Sequence, residues 1–312
     1  VAKALTSTLL RQAACVASLL ACFGLQANTL GIVTSAQGAA YDELVEAVRN
    51  DLKTLPGVKI QVIGLGEDTN ASRLAADTFI LITVGVQATR RFAADPNVRW
   101  PILGVMVPRV SFEALVPTPR NPRRITAIYL DQAPQRQVEL IRVLLPAARA
   151  IGVVVGPTNQ RDLEAIRPLA GQKGLSLITE NASRDTELYP ALQSVLRSSD
   201  VLLALPDPFV VNAATAQNLL LTSFRFRTPV IGYSAAYVRA GALAAAYSAP
   251  RQIGAEAAQL VRQTLRGVPL PEPRHPRSFS IAINQALAQS LNLNLPDEAT
   301  VQQRVQSQET VE

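Results

Sequence analysis

Thr29-Leu-Gly-Ile-Val33 and Ala150-Ile-Gly-Val-Val-Val155 are two versions of one apolar strand, and the segments after each repeat the same succession. Val58-Lys-Ile-Gln-Val-Ile63, Phe79-Ile-Leu-Ile-Thr-Val84 and Trp100-Pro-Ile-Leu-Gly-Val-Met106 follow the first. Leu175-Ser-Leu-Ile178, Val201-Leu-Leu-Ala-Leu205 and Thr228-Pro-Val-Ile-Gly232 follow the second. Three of the four strands correspond at an offset of roughly 120 residues, as expected of one α/β unit written twice. Such unbroken apolar runs suit parallel strands covered on both faces. Two similar lobes leave a cleft between them.

Helices fill the intervals. From Ala39 to Leu55, the residues Leu44, Val45, Val48, Leu52 and Leu55 share one face, while Asp42, Glu43, Glu46, Arg49 and Lys53 occupy the other. Leu163, Ile166 and Leu169 repeat the pattern ahead of Gly174, a helix stop, and Leu188, Leu192, Val195 and Leu196 repeat it again. Pro134 opens a helix running to Leu145, and another spans Arg251 to Arg266 before Gly267. Pro269, Pro271, Pro273 and Pro276 then impose an extended crossing segment. Ser278 to Ile283 reads as a strand and Gln285 to Leu291 as a short helix, while the polar, Gln-rich stretch from Glu298 to Glu312 is expected to fray. Strands alternating with helices imply an α/β fold of two Rossmann-like lobes, each with a parallel sheet and right-handed crossovers.

With 48% hydrophobic residues, the 312-residue chain has material for two cores. Both cysteines, Cys15 and Cys22, fall where Lys3 and Arg11 precede an apolar run from Ala13 to Leu25. That run is short for a membrane span and reads as a secretion signal over residues 1–27. Leu25-Gln26-Ala27 offers a cleavage site before Asn28; alternatively, Leu19-Leu20-Ala21-Cys22 reads as a lipobox, with Cys22 lipidated and the remainder tethered to a membrane. Either way a periplasmic location is expected. The formal charge of +6 falls by two to +4 without Lys3 and Arg11, and no Lys/Arg run is interleaved with aromatics. No nucleic-acid partner is expected. Arg120, Arg123 and Arg124 read as a solvated loop.

The chemistry-bearing residues are sparse. One histidine, His275, and no thiol beyond the leader leave too few ligands for a zinc or copper site, so neither metal nor cofactor is expected. No Gly-Lys-Ser/Thr phosphate loop occurs, and Gly64-Leu-Gly66 reads as a turn. Gly232-Tyr233-Ser234-Ala235-Ala236 is a relative of the nucleophile elbow. A triad would need His275 with Glu256 or Glu272, and the proline-flanked setting opposes that geometry, so no enzymatic activity is expected.

Binding asks for less. Ligands of open α/β sheets sit beyond the carboxyl ends of the strands, where helix N-termini present free N–H groups. The loops there offer Ser35, Gln87 and Arg109 from the first lobe, and Thr158, Asn159, Asp207, Phe209 and Tyr233 from the second. Asp207, directly after an apolar strand, is the candidate partner for a ligand amine, and Arg109 for a carboxylate. Thr158, Asn159 and Asp207 are equally suited to helix capping, and Phe209 and Tyr233 to packing.

Leu130-Asp-Gln-Ala-Pro-Gln-Arg-Gln-Val-Glu-Leu-Ile-Arg-Val-Leu-Leu-Pro146, followed by Ile151-Gly-Val-Val-Val155, resembles the ABC-transporter substrate-binding proteins of the tryptophan/tyrosine-type group. So do Leu205-Pro-Asp207, Thr228-Pro-Val-Ile-Gly232, Val238-Arg-Ala-Gly-Ala-Leu243 and Ile253-Gly254. The resemblance is clearest after Asp131. It implies a type I periplasmic-binding fold with three hinge crossings, lobe I comprising 28–126 plus 250–274, lobe II 127–249 plus 275–300, and a flexible tail at 301–312. It further implies a monomeric solute-binding protein that closes on a small polar ligand, such as an amino acid, and serves a membrane permease. A ligand-sensing envelope protein working with a sensor or outer-membrane receptor is the alternative. Gly85-Val86-Gln87-Ala88 stands where the family commonly has Gly-Thr/Ser-Pro-Ala, and Val105-Met-Val-Pro-Arg109 where it has Thr-Asp-Pro, which marks a divergent member.

Overall fold

The computed structural model describes residues 28–116, 125–157, 159–212 and 214–309. Five parallel strands, β1 (Asn28–Thr34), β2 (Val58–Gly64), β3 (Thr78–Val84), β4 (Ile102–Val107) and β5 (Ile125–Tyr129), form one sheet in the order β2-β1-β3-β4-β5. A second sheet repeats it. There β6 (Ala150–Val155), β7 (Ser176–Asn181), β8 (Val201–Leu203), β9 (Val230–Gly232) and β10 (Ala244–Tyr247) run parallel as β7-β6-β8-β9-β10, and β11 (Ser280–Ile283) adds antiparallel to β10. The duplication read from sequence is therefore a duplication of topology, and it includes a fifth strand in each copy that the apolar runs do not reveal. Ala244-Ala-Ala-Tyr247 carries the composition of a helix former, and tertiary pairing overrides that preference.

Helices α1 (Ala39–Leu52), α2 (Val86–Ala94) and α3 (Arg109–Leu115) belong to the first sheet. The second has α4 (Pro134–Leu144), α5 (Gln160–Gln172), α6 (Asp185–Ser198), α7 (Ala216–Arg225) and α8 (Ala235–Arg239). Then come α9 (Pro250–Leu265), α10 (Gln285–Ser290) and α11 (Glu298–Glu309). Although α9 directly follows the second sheet, its Ile253, Ala257 and Val261 share a core with Leu44 and Val48 of α1 and with Leu30 and Ile82 of the first sheet. Gly254 makes the seat possible.

The chain thus crosses between sheets after β5, after β10 and again before β11. The crossings are tied together: Gln132 Nε2 donates to Ser248 Oγ at 3.0 Å, and Ser248 Oγ donates to the Ser278 carbonyl at 2.6 Å. Glu256 on α9 accepts from the Arg277 and Ser278 N–H groups at 2.6 and 2.9 Å and pairs with Arg274 at 3.0 Å. The proline-rich return is extended as expected. Arg274 lies parallel to β5, with Tyr129 N–H donating to its carbonyl at 2.9 Å and its own N–H donating to the Ala127 carbonyl at 3.0 Å.

The expectation that the C-terminal stretch frays is corrected over Glu298–Glu309, which is helical. Val301 and Val305 share one helix face and are buried in the core of the second sheet, while Arg136 Nε donates to Glu309 Oε1 at 2.6 Å. A two-residue apolar stripe in polar composition hides such a helix until a partner surface exists. Residues 1–27, read above as a secretion signal with Cys22, the Arg120 to Arg124 cluster and Thr158 lie outside the described residues. Among those described, no helix is long and apolar enough to cross a membrane.

A methyl group at Gly254 would stand 2.7 Å from the Leu44 carbonyl oxygen and 2.8 Å from Ala47 Cβ. Gly254→Ala is therefore expected to lower the unfolding free energy by about 1–3 kcal/mol, measured by urea denaturation. An unchanged midpoint would mean that α9 does not seat this closely on α1.

Candidate functional site

Arg109 opens α3 just after β4, and Asp162 lies in the first turn of α5, just after β6. Their side chains meet, with Arg109 Nε and Nη2 donating to Asp162 Oδ1 at 3.0 and 2.5 Å. The carboxyl ends of the two sheets are thereby face to face, which is where the strand-end loops place a cleft.

The first-lobe candidates are engaged to different degrees. Ser35 Oγ accepts from the Ala88 N–H at 2.8 Å and so holds the start of α2. Gly85, at φ 88°, makes room: a Cβ there would approach Ser35 Oγ to 2.8 Å. Gln87 is exposed, with Arg90 as its neighbour along the helix at 3.4 Å. Arg109 is saturated. Besides Asp162, its Nη1 donates to both carboxylate oxygens of Glu113 at 2.9 Å, and Arg161 adds to Glu113 at 3.2 Å. Two acids on two lobes thus surround two bases in a partly desolvated network.

In the second lobe, Asp207 is 1% exposed, and backbone donors occupy both of its oxygens. Oδ2 accepts from Gly156 N–H at 2.8 Å, and Oδ1 from Phe209 and Val210 N–H at 2.9 and 3.4 Å. The carboxylate stitches the exit loop of β8 to that of β6. Phe209 and Tyr233 are half-buried against the core on that side, and Tyr233 stacks on Tyr237 with ring centres 5.5 Å apart.

Asn159 differs from all of these. It occupies the N-cap position of α5 yet makes no capping bond, and it is 1% exposed. Neither its Oδ1 nor its Nδ2 has a hydrogen-bond partner among the described residues.

The structure brings none of the esterase elements together. Ser234 Oγ accepts from Tyr237 N–H at 3.1 Å as the cap of α8, Glu256 serves the crossings, and Glu272 is exposed. His275 packs edge-on against Tyr129 with ring centres 5.4 Å apart, its Nδ1 lying 3.1 Å from the Asp131 carbonyl oxygen. Burial lowers the His275 pKa, and because a carbonyl oxygen can only accept, Nδ1–H is the donor in this contact. Among the described residues no group of three or more His, Cys, Asp or Glu could hold a metal ion.

Sequence reasoning missed the residues that join the lobes: Asp131, Gln132, Ser248, Asp162 and Glu113. Their signal is weak, because a polar residue just after a strand reads as any loop residue. Asp131 is the most constrained, accepting from the Arg109 backbone N–H at 2.6 Å. Burial raises its pKa most, the Arg109 N–H opposes this, the Asp162 charge adds to it, and the carboxyl is pushed up to about 7. Since this exceeds the unfolded value of about 3.9, the group stabilises the native state below that pH and loses the contribution as pH rises through about 7. Asp131→Asn keeps an acceptor for Arg109 and is expected to remove roughly 1–3 kcal/mol of that fall, read from urea midpoints across the interval. Equal slopes in both proteins would mean that Asp131 is ionised throughout.

Residues 70–306 match the family model described as ABC transporter substrate binding protein. No curated protein matches the sequence. Among solved structures, a conserved domain protein from Vibrio cholerae is 22% identical, with a TM-score of 0.63 over 89% of this chain and 98% of that one. An ABC domain in complex with L-Trp from Streptococcus pneumonia is 19% identical, with a TM-score of 0.62 over 88% and 98%. The ligand-free, open structure of a substrate binding protein with adhesive properties from Clostridium difficile is 18% identical, with a TM-score of 0.69 over 86% and 96%. With its paired sheets, triple crossing and match over most of its length, the chain belongs to the ABC transporter substrate binding protein family and has the type I periplasmic-binding fold.

Proposed function

We propose that the protein is the solute-binding component of an ABC-type uptake system, working as a monomer outside the cytoplasm. It closes its lobes on a small polar molecule and presents it to a membrane permease. Membership of the family supports the binding role, and the tied crossings supply a hinge. The secretion signal read in residues 1–27 suits a periplasmic site of action, and lipidation at Cys22 would keep the protein at the membrane.

One observation carries the reading: Asn159 is buried at a strand-end loop, and its whole amide is unpaired among the described residues. Such an amide costs about 1–3 kcal/mol of desolvation. A purely structural position gains nothing from that cost, whereas a solute that pairs with the amide offsets it. Ser35, Gln87, Phe209 and Tyr233 complete the proposed wall.

A thermal-shift screen against amino acids, small carboxylates, nucleosides and sugars is expected to find a ligand, which at 100 times its dissociation constant adds about 2.7 kcal/mol of stability. Asn159→Ala should leave the ligand-free melting temperature unchanged or higher and weaken binding about tenfold, or about 1.4 kcal/mol. A protein that no compound stabilises would remove the solute-binding reading. A variant destabilised without ligand would make Asn159 a structural residue.

A further inference from the structure

The charged candidates at the strand ends are committed inside the protein. The Arg109 guanidinium is divided between Asp162 and Glu113, and the Asp207 carboxylate is filled by three backbone N–H groups. A ligand ammonium would have to compete with three backbone N–H groups for Asp207, a carboxylate that is 1% exposed. A ligand carboxylate could take Arg109 only by drawing it away from Asp162, while Glu113 would be left with the exposed Arg161 alone. Both exchanges are unfavourable in a desolvated site. Among the described residues of these loops, Asn159 is buried with neither amide atom paired, and its neutral amide offers one donor face and one acceptor side by side.

Two aromatic residues stand on the adjoining loops. Asn159 N–H bonds the Gly156 carbonyl at 3.4 Å, and a Cβ on Gly156 would touch Phe209 Cβ at 3.1 Å, so Asn159 and Phe209 belong to one pair of loops. Tyr233 directly follows β9, the strand next to the one that leads to Phe209. Asparagine reads a heterocycle by pairing both amide atoms with an adjacent donor and acceptor, as it does with adenine.

Resting on the proposed solute-binding function, we infer that the solute is uncharged and flat: a nucleobase-like or amide-bearing heterocycle whose adjacent N–H and acceptor pair with Asn159 and whose face lies on Phe209 and Tyr233. Zwitterionic amino acids are rejected because the groups that would receive their charges are already spent.

Titration calorimetry and thermal shift on the protein separate the possibilities with three sets of probes. These are adenine, uracil and nicotinamide; L-tryptophan, L-tyrosine and L-leucine; and myo-inositol and glucose. The expected result is binding by a member of the first set at least tenfold tighter than by any of the second, lost at least tenfold in both Asn159→Ala and Asn159→Asp. Binding of an amino acid at equal or greater affinity overturns the inference and leaves the solute-binding function standing. Binding of a polyol alone overturns the flat heterocycle. Silence from all three sets, with no other compound of the broader screen binding, removes the function and the inference with it.

Discussion

Gln132, Ser248, Glu256 and Ser278 are joined by hydrogen bonds where the chain crosses between its sheets, and the position of the cleft depends on those bonds. One crossing would leave the lobes free to swing in any direction. Three crossings tied side by side hold the lobes along one line, about which the hinge closure proposed above would turn. Glu256 contributes from a helix seated on the first lobe to backbone donors entering the second, so the tie is also a link between cores. The same arrangement explains why α9 leaves the sheet that precedes it: without Ile253, Ala257 and Val261, the apolar face of α1 would stand in water.

The crossings also decide what the strand ends do. Once the carboxyl ends of both sheets face each other, charged residues of the two lobes come within reach, and Arg109 with Glu113 meets Asp162 with Arg161. Partly desolvated charges need partners, and here the partners are each other. Asp207 follows the same rule on a smaller scale: a buried carboxylate between two loops takes their N–H groups and makes the loops one unit. Asn159 has no such partner among the described residues, which is why the proposed solute-binding function rests on it and not on a charged residue.

Much of the fold was legible in the chain because both sheets bury long Val, Ile and Leu runs, and because Gly174 and Gly267, at φ 69° and 80°, end helices where the periodicity stops. The fifth strands were not. Ile125–Tyr129 is short and follows an Arg- and Pro-rich stretch, and Ala244–Tyr247 is nearly all alanine, so local preference carries no strand signal in the second case. Glu298–Glu309 looked too polar to order because burial of Val301 and Val305 depends on a surface built far earlier in the chain.

For the candidate site, sequence by itself determined the addresses: Ser35, Gln87, Arg109, Asn159, Asp207, Phe209 and Tyr233 all stand where strands end, since strand and helix periodicity are local properties. It also determined that the unit is written twice and that few groups are suited to chemistry. Only the tertiary structure decided the roles. Whether a carboxylate serves a ligand or the protein depends on which N–H groups and cations lie within about 3 Å of it. Those neighbours, Gly156 for Asp207 and Asp162 for Arg109, arrive from more than fifty residues away, at distances set by packing.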